Sequence, residues 1–469
     1  MGSSIPRLVI AGLSGDSGKT IASLCLLAAA RRKGLRISAF KKGPDYIDAA
    51  WLSRLSGTPC RNLDTWMVEP KIVAARFAGA AAGSDAAVIE GNRGLFDGRD
   101  VEGTHSTAAL SRLLAAPVVI VVNAVKTTRT LAALIKGCVD FDPDVRIAGV
   151  ILNRVGGKRH ERIVRDSIGK YCGLPVLGAL PKLDGKSILI PNRHLGLVTP
   201  AELDHGPELE KGLADAGDEY LDCDGLLAAA RAAGPLDADE TGTPEKIPAT
   251  VSIGYFADSV FTFYYPENLE ALEAAGARLV PVSSLEDPGL PDIDAMYIGG
   301  GFPETHAAGL AQNTSMMQSV KKAAGGGMPV YAECGGLIYL CASLAWKHDT
   351  YPMAGVFPME LAMHEKPVGH GYTQVRVDRP NPFFEVGTVI KGHEFHYSGP
   401  VENAAEDAGC MTVETGVGLG RKRDGLLYKA VLSCYTHIHS DGVKTWASSM
   451  VSRAAQYKRS RGKTKCRTS

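Results

Sequence analysis

The stretch GLSGDSGKT at residues 12–20 decides how the first half of the chain folds. It follows the apolar run RLVIA (7–11) and precedes the helix-forming run IASLCLLAAARR (21–32). A glycine-rich loop between a strand and a helix lets backbone N–H groups converge on phosphate oxygens. Such a loop also needs a lysine for the outer phosphates and a Ser or Thr for a metal ion, and Lys19 and Thr20 supply them.

The spacing of this loop is a variant of the usual phosphate-loop spacing. Leu13 stands where the first glycine is expected, and Gly12 lies one residue earlier. A glycine turn that only caps a buried helix is the alternative interpretation. The strand before the loop and the helix after it favour nucleotide binding. The residues that carry this prediction are Gly15, Gly18, Lys19 and Thr20.

Composition limits the kind of protein and its partners. The chain has 469 residues, of which 45% are hydrophobic and 22% charged, so it can build more than one core. The formal net charge is zero, which argues against a charge-driven nucleic-acid or membrane partner. The last residues, 451–469, are rich in Lys and Arg, and we expect a disordered basic tail.

The cysteines and the apolar runs indicate the compartment. The ten cysteines include no C-x-x-C pair, which fits a reducing cytosol better than a disulfide scaffold. No signal peptide opens the sequence, and no apolar run is long enough to span a bilayer. We therefore expect a soluble cytoplasmic protein.

Buried strands alternate with helical segments through residues 1–236. Helical segments such as 105–115 and 159–170 separate these strands, which is typical of a doubly wound α/β domain. The predicted strands are RLVIAG, RISAFK, AAVIEG, PVVIVVN, IAGVILNRV and PVLGAL. The segment 237–249 carries acids, Gly and Pro without periodicity and is predicted to be a linker.

A second α/β domain is predicted over residues 250–450. It begins with the strand VSIGYFA, a helix over 266–275 and the strands ARLVPVSS, AMYIGGG and PVYAEC. Its later segments GYTQVRV, TVIKGHEFHYS and GLLYKAVLSCYTHIHS are typical of antiparallel strands. The chain is thus predicted to hold two doubly wound domains.

Acidic and basic side chains end two predicted strands of the first domain. Glu90 ends the strand AAVIE, where a carboxylate beside a phosphate loop is well placed to hold Mg²⁺. The segment FKKGPDYID (40–48) offers Lys41, Lys42, Asp45 and Asp48. Two acids in a Gly-Pro turn are also common turn formers. Because all these groups fall on one sheet edge with the glycine loop, a metal–phosphate role is favoured.

Asn153 follows the apolar run GVIL, so a side-chain amide stands at the end of a further strand. It could read an adenine edge in a bound ATP. A strand-end asparagine is equally often a turn former. We assign Asn153 to the ATP site.

Cys334 is the candidate nucleophile of the second domain. The segment VYAECGGLIYL (330–340) is a strand, a tight turn and a helix, like a nucleophile elbow. At a helix N-terminus the dipole favours thiolate, and the Gly335 N–H can stabilise an oxyanion. A second donor could come from YIGGGFPE (297–304), and SCYTHIHS (433–440) offers His437 and His439 as bases.

The motifs resemble, in order, those of the cobyrinic acid a,c-diamide synthase family over about residues 7–450. The motifs that carry the resemblance are GLSGDSGKT, KKGPDYID, NLDTW, VIEGNRGLFDG, GVILNRV, RHLGLV, FYYPENLEAL, YIGGGFPE, AECGGLIYL, GHEFHYS and YTHIH. The resemblance implies an N-terminal P-loop, ATP-dependent amide ligase domain similar to dethiobiotin synthetase. It also implies a C-terminal glutamine amidotransferase domain of the class I, or triad, type.

The resemblance also implies roles for individual residues. In the amidotransferase domain these are Cys334 as nucleophile, His437 as base, and Gly300 and Gly301 as the oxyanion loop, which joins the Gly335 N–H in the predicted oxyanion hole. In the ligase domain they are an ATP loop over Gly15, Asp16, Ser17, Gly18, Lys19 and Thr20, a Mg²⁺ site of Thr20, Asp45 and Glu90, and a substrate and acyl-phosphate site of Lys41 and Asp48. The triad class usually has an acid two residues after the base; here that position is His439, so the resemblance implies a Cys–His dyad whose orienting group is not identified.

The implied function is ATP- and glutamine-dependent amidation of the a and c acetates of cobyrinic acid in cobalamin biosynthesis, with Mg²⁺, an acyl phosphate and channelled ammonia. The implied partners are a corrin substrate, glutamine, ATP and, in a homodimer, a second copy of the chain. Two departures leave the substrate open: family members often have EGVMGLFDG where this chain has Asn92 and Arg93, and VVD where it has Asn123. Nickel-sirohydrochlorin, hydrogenobyrinic acid and the carboxylates handled by cobyric acid synthase are alternative substrates. A P-loop partner-binding switch with an inactive amidotransferase-like domain is an alternative of another class.

Overall fold

The computed structural model describes residues 5–183, 190–193, 196–203, 206–237, 247–402 and 408–465. The chain divides into two compact units, Met1–Gly242 and Thr243–Ser469. Their boundary falls inside the predicted linker 237–249, most of which lies outside the described residues. Among the described helices, none combines the length and the apolar character needed to cross a membrane.

The first unit is built from strands and helices in alternation. Its strands are β1 (Arg7–Gly12), β2 (Ile37–Lys42), β3 (Arg61–Leu63), β4 (Ala86–Glu90), β5 (Val118–Asn123), β6 (Ile147–Val155), β7 (Val176–Pro181), β8 (Asn192–Arg193) and β9 (Gly196–Leu197). Its helices are α1 (Lys19–Arg32), α2 (Ile47–Ser56), α3 (Pro70–Ala81), α4 (Thr107–Leu113), α5 (Arg129–Phe141), α6 (Lys158–Cys172), α7 (Gly206–Tyr220) and α8 (Cys223–Arg231), with a 3₁₀ turn at Pro200–Glu202.

The main sheet of the first unit is parallel, with the strand order β3-β2-β4-β1-β5-β6-β7. All six strands predicted from the sequence are present, and the short edge strand β3 was not predicted. The strand order departs from chain order on both sides of β1, as in a doubly wound fold. The loop after β1 therefore lies between the ends of β4 and β5, with β2 beside β4.

The second unit has a central sheet and two smaller ones. Its strands are β10 (Val251–Phe256), β11 (Ala277–Val282), β12 (Ala295–Ile298), β13 (Val330–Glu333), β14 (Ser343–Trp346), β15 (Asp349–Pro352), β16 (Glu360–Met363), β17 (Gly369–Val377), β18 (Val389–His396), β19 (Ser398–Pro400), β20 (Met411–Thr415), β21 (Arg423–Asp424), β22 (Leu426–Tyr428) and β23 (Val431–Cys434). Its helices are α9 (Pro266–Ala274), α10 (Ala307–Gln312), α11 (Thr314–Gly325), α12 (Gly335–Leu340) and α13 (Trp446–Lys465).

The central sheet has the order β11-β10-β12-β13-β23-β22, in which only β22 is antiparallel to its neighbour. β17 pairs antiparallel with β18 and β20, as predicted. β23 differs from its prediction, because it runs antiparallel to β22 but parallel to β13, and all four of its residues are buried. The ends of β12, β13 and β23 are consequently adjacent along one edge.

The prediction of a disordered tail over 451–469 is wrong for its described part, because α13 is helical through Lys465. Trp446, Met450 and Ala454 recur every four residues and are fully buried in the core cluster on one side of the central sheet. The chain beyond Met450 is therefore held by an apolar helical face. The four-residue spacing of these apolar residues is present in the sequence, but the many Lys and Arg residues between them favoured the prediction of a disordered tail.

We expect Trp446→Ala to lower the free energy of unfolding by about 3–5 kcal/mol, the usual cost of removing a buried Trp. The Trp446 ring makes edge contacts with Tyr297 at 5.2 Å and Tyr331 at 5.4 Å between centroids. Urea unfolding followed by circular dichroism measures the change. Ser452→Ala, at an exposed position of the same helix, is the control. Equal midpoints for the two variants would contradict the packing of α13.

Candidate active sites in the two units

The glycine loop after β1 is in contact with the side chain of Asn153. Gly18 has φ 96°, and a Cβ at this position would lie 2.0 Å from Asn153 Nδ2, so only glycine fits. Asn153 Nδ2 donates to the Ser17 carbonyl at 3.0 Å. The amide predicted to read adenine is thus engaged with the loop backbone. The adenine-reading role assigned to Asn153 from the sequence stays a prediction.

Lys19 and Thr20 begin α1 and point toward neighbouring strand ends. Lys19 Nζ donates to the carbonyls of Ser14 at 3.0 Å and Arg93 at 2.9 Å. Burial, and then the nearby Lys41, lower the pKa of Lys19. The contact with Arg93 uses its backbone carbonyl, so the unusual side chain at that position leaves it unaffected. Thr20 Oγ1 donates to Glu90 Oε1 at 2.8 Å.

Lys41 lies at the centre of a carboxylate cluster formed by Asp45, Asp48 and Glu90. Its Nζ donates to Asp48 Oδ2 at 2.6 Å and Glu90 Oε1 at 2.7 Å, and lies 3.8 Å from Asp45 Oδ2. Burial disfavours the charged lysine, but the three carboxylates outweigh it and raise the pKa of Lys41 well above its usual value. The cluster therefore holds a buried cation beside the phosphate loop.

The two aspartates of the GPDYID turn have different surroundings. Asp45 Oδ1 accepts a hydrogen bond from the Asp48 backbone N–H at 2.9 Å, so it shapes the turn that starts α2. Asn62 supports the same turn, because its Nδ2 donates to the carbonyls of Gly43 at 2.7 Å and Asp45 at 2.9 Å. Asp48 Oδ2 lies 3.4 Å from Thr20 Oγ1. The structure thus brings Asp48, rather than Asp45, next to the P-loop threonine.

Oxygen atoms of this edge have the chemistry of a magnesium site. Glu90 Oε2 is buried and has no hydrogen-bond partner among the described residues. In the described part of the chain, no group of three or more His, Cys, Asp or Glu side chains could hold a metal ion by itself. Mg²⁺ beside a P-loop usually takes one or two carboxylates together with substrate phosphates. Thr20, Asp48 and Glu90 fit that donor set.

Cys334 lies in a strained turn between β13 and α12, as the elbow prediction requires. Its φ is 47° and its ψ −98°, a conformation rarely adopted by a residue with a side chain. Cys334 follows Glu333 at the carboxyl end of β13, and Gly335 begins α12. The turn therefore projects the sulfur at the sheet edge where β12 and β23 also end.

The sequence predicted that the helix dipole favours a thiolate at Cys334, and burial of this side chain opposes that effect. Burial, and then Glu304, raise the pKa of Cys334 above its usual value, although a hydrogen bond from the Gly335 N–H opposes the shift. α12 has only six residues, so its dipole is small. A thiol whose pKa is raised in this way needs a base to become a nucleophile.

The glycine loop after β12 lies against this turn. Gly301 has φ 154°, and a Cβ there would lie 1.8 Å from the Val260 carbonyl oxygen. A Cβ on Gly335 would lie 2.9 Å from the Gly301 nitrogen, and one on Gly300 would lie 2.6 Å from His437 Cε1. The structure therefore brings the predicted oxyanion-hole glycines, the nucleophile turn and the predicted base into one site.

His437 is held by backbone and by rings. It exchanges two backbone hydrogen bonds with His393, at 2.8 and 3.2 Å, and the two rings stack 4.8 Å apart. Its Nδ1 lies 3.4 Å from Oε2 of Glu333, a residue that the sequence reasoning missed. His439, in the position of the usual triad acid, lies 3.7 Å from Glu267 instead.

Comparisons with known proteins match both units. Residues 8–194 match the family described as "CobQ/CobB/MinD/ParA nucleotide binding domain", and residues 252–445 match "CobB/CobQ-like glutamine amidotransferase domain". The chain therefore joins a P-loop NTPase-like domain to a glutamine amidotransferase domain.

Relatives matching nearly the whole chain identify the family. The cobyrinate a,c-diamide synthase of Magnetococcus marinus is 40% identical over 94% of this chain and 96% of its own length. That of Archaeoglobus fulgidus is 41% identical over 97% and 98%, and that of Syntrophotalea carbinolica 44% over 86% and 88%. The chain belongs to the cobyrinate a,c-diamide synthase family, as its motifs predicted.

Proposed function

We propose that this chain catalyses the ATP- and glutamine-dependent amidation of the a and c acetates of cobyrinate in cobalamin biosynthesis. One observation carries the proposal: relatives named for this synthase align over both units, and each unit holds an intact constellation for one half-reaction. A partner-binding switch needs neither the buried cation and carboxylates of the first unit nor the strained cysteine of the second.

In the first unit, a substrate carboxylate oxygen attacks the γ-phosphorus of ATP, which gives an acyl phosphate and ADP. The loop amides of residues 15–20 and the ammonium of Lys19 stabilise the charge on the transferring phosphoryl group. Ammonia then attacks the acyl carbon and inorganic phosphate leaves, which gives the amide. Lys41, which donates to Asp48 and Glu90, stays the proposed contact of the acyl phosphate.

Thr20, Asp48 and Glu90 would hold Mg²⁺ in this unit, with Asp48 replacing the sequence-predicted Asp45. When bound, the ion would offset the negative charge of the ATP phosphates. The orphaned Glu90 Oε2 supports this donor set. Asp45 then acts through the shape of its turn.

In the second unit, Cys334 Sγ attacks the side-chain amide carbon of glutamine while His437 takes the thiol proton. The backbone N–H groups of Gly301 and Gly335, with the Gly300 backbone, are proposed to stabilise the oxyanion. The nitrogen leaves as ammonia after receiving the proton from His437. Water then hydrolyses the glutamyl thioester to glutamate, and the released ammonia serves the first unit.

The two aspartates provide a test of the revised metal site. We expect Asp48→Asn to reduce amidation about 10- to 100-fold with glutamine or ammonium salt, because a ligand beside Thr20 is lost. We expect Asp45→Asn to be milder, because the amide oxygen can still accept from the Asp48 N–H. Initial rates and melting temperatures measure both. A more severe loss in Asp45→Asn would restore the sequence-based assignment.

The overall function is tested by product analysis. The protein is incubated with ATP, Mg²⁺, glutamine and, separately, cobyrinic acid, hydrogenobyrinic acid or nickel-sirohydrochlorin, and products are read by mass spectrometry. We expect diamide from cobyrinic acid, with ADP formed in proportion to amide. ATP hydrolysis without amide on any macrocycle would instead favour the switch. The expected homodimer and the cytoplasmic location stay predictions.

A further inference from the structure

Glu333 is a fully buried carboxylic acid directly before the nucleophile. It is the last residue of β13, so its side chain points away from the face that Cys334 takes after the turn. Its Oε2 lies 3.4 Å from His437 Nδ1. When Nε2 of a histidine acts as the base, Nδ1 is the ring nitrogen that is free to bind an orienting group. Catalytic hydrogen bonds are often long before substrate binds.

Three further groups hold the Glu333 side chain in place. The hydroxyls of Tyr297 and Tyr331 donate to Oε2 and Oε1, both at 3.2 Å, and the Ile438 N–H donates to Oε1 at 3.1 Å. Burial raises the pKa of both tyrosines well above the usual value, and the charge of Glu333 raises that of Tyr297 further. Both hydroxyls therefore remain donors. All three groups donate hydrogen bonds to the two carboxyl oxygens of Glu333.

The Ile438 contact links the carboxylate to the segment that carries the base. Oε1 binds the backbone of the residue after His437, while Oε2 faces the His437 ring. One side chain thus binds the backbone next to the predicted base and lies 3.4 Å from its ring. An orienting acid needs this placement.

We propose that Glu333 is the positioning residue that orients His437, in place of an acid two residues after the base. The inference rests on the proposed glutaminase role of Cys334 and His437. Glu333 accepts the Nδ1–H of His437, which leaves the Nε2 lone pair to take the proton of the thiol. Glu333 itself gains no proton.

The neighbouring acids and bases do not take this role. Glu267 lies 3.7 Å from Nε2 of His439. His393 stacks on His437, and burial, then the His437 and His439 charges, lower its pKa well below the usual value. A histidine ring carries no negative charge, so His393 supplies no counter-charge to a protonated His437.

Cys334 and His437 supply the electron pair and the proton that the attack on glutamine and the release of ammonia require. The Cys334 S–H bond breaks as the proton passes to Nε2 of His437, and the sulfur electron pair forms the bond to the glutamine amide carbon. The proton then passes from Nε2 to the leaving nitrogen as the C–N bond breaks. Glu333 stabilises the imidazolium between these two transfers.

Glu333→Gln tests the proposal, because it keeps the size of the side chain but presents an N–H donor to His437 Nδ1. This donor favours the tautomer whose Nε2 carries a proton and cannot act as base. We expect kcat for glutamine hydrolysis to fall about 10²-fold, the usual worth of a general base, with KM for glutamine little changed. Amidation supported by ammonium salt is measured on the same sample as a reference for the first unit.

Glu267→Gln is the matched control, since it changes a second buried acid that faces a histidine, and we expect near wild-type kcat. Wild-type kcat in Glu333→Gln, or an equal loss in both variants, would overturn the positioning role. Absence of glutaminase activity in the unmodified protein would instead overturn the proposed function. The two failures are thus distinguishable.

A measurement on the unmodified protein removes dependence on the folding of any variant. Nitrogen-15 spectra of labelled imidazoles identify which ring nitrogen carries the proton, and the His437 signals are found by their loss in His437→Ala. We expect His437 at neutral pH to carry its proton on Nδ1, with Nε2 unprotonated. A neutral His437 protonated on Nε2 would contradict the proposal even if the enzyme is active.

Discussion

Cys334→Ala is expected to abolish amidation with glutamine while amidation with high ammonium salt continues. The sulfur forms the bond to the glutamine amide carbon, and alanine offers no nucleophile in its place. The phosphate loop and carboxylate cluster belong to the other unit. Ammonium salt supplies free ammonia directly, so glutamine hydrolysis in the second unit is no longer needed.

The experiment measures amide and ADP formation with each nitrogen source. Cys341→Ala is a matched control, because Cys341 is also a buried free cysteine, at the end of the helix that Cys334 begins. It should keep both activities. Loss of ammonium-supported amidation in Cys334→Ala alone would contradict the assignment of the two half-reactions to separate sites.

Lys19→Ala is expected to reduce amidation between about 10²- and 10³-fold with either nitrogen source. Its Nζ is held by two carbonyls at the loop, where a nucleotide phosphate would offer a stronger partner. Removing one preorganised charge contact from a transferring phosphoryl group costs this order of magnitude. Because acyl-phosphate formation precedes ammonia attack, added ammonium salt cannot restore the rate.

Lys33→Ala, at the other end of α1, controls for loss of a positive charge. Lys33 is exposed and lies 3.4 Å from Asp218, so its removal should change stability and rate little. The comparison uses amidation rates together with ATP affinity. Near-normal turnover in Lys19→Ala would mean that GLSGDSGKT is only a structural turn.

Short contiguous motifs predicted most of the turns and strands that the structure has. The glycine loop, the GPDYID turn and the ECGG elbow each depend on backbone conformations set within a few residues, and the structure has a turn at each place. The six buried strands of the first unit followed from unbroken apolar runs. Local patterning therefore sufficed for the fold class, for the phosphate loop and for the candidate nucleophile.

Contacts between distant strands required the tertiary structure. The sequence could not show that Glu333 faces His437, that Asp48 rather than Asp45 approaches Thr20, or that Asn153 supports Ser17. These pairings depend on which strands are neighbours and on their register, which the packing of whole sheets determines. The raised pKa of Cys334 has the same origin, because burial by the surrounding chain is its largest cause.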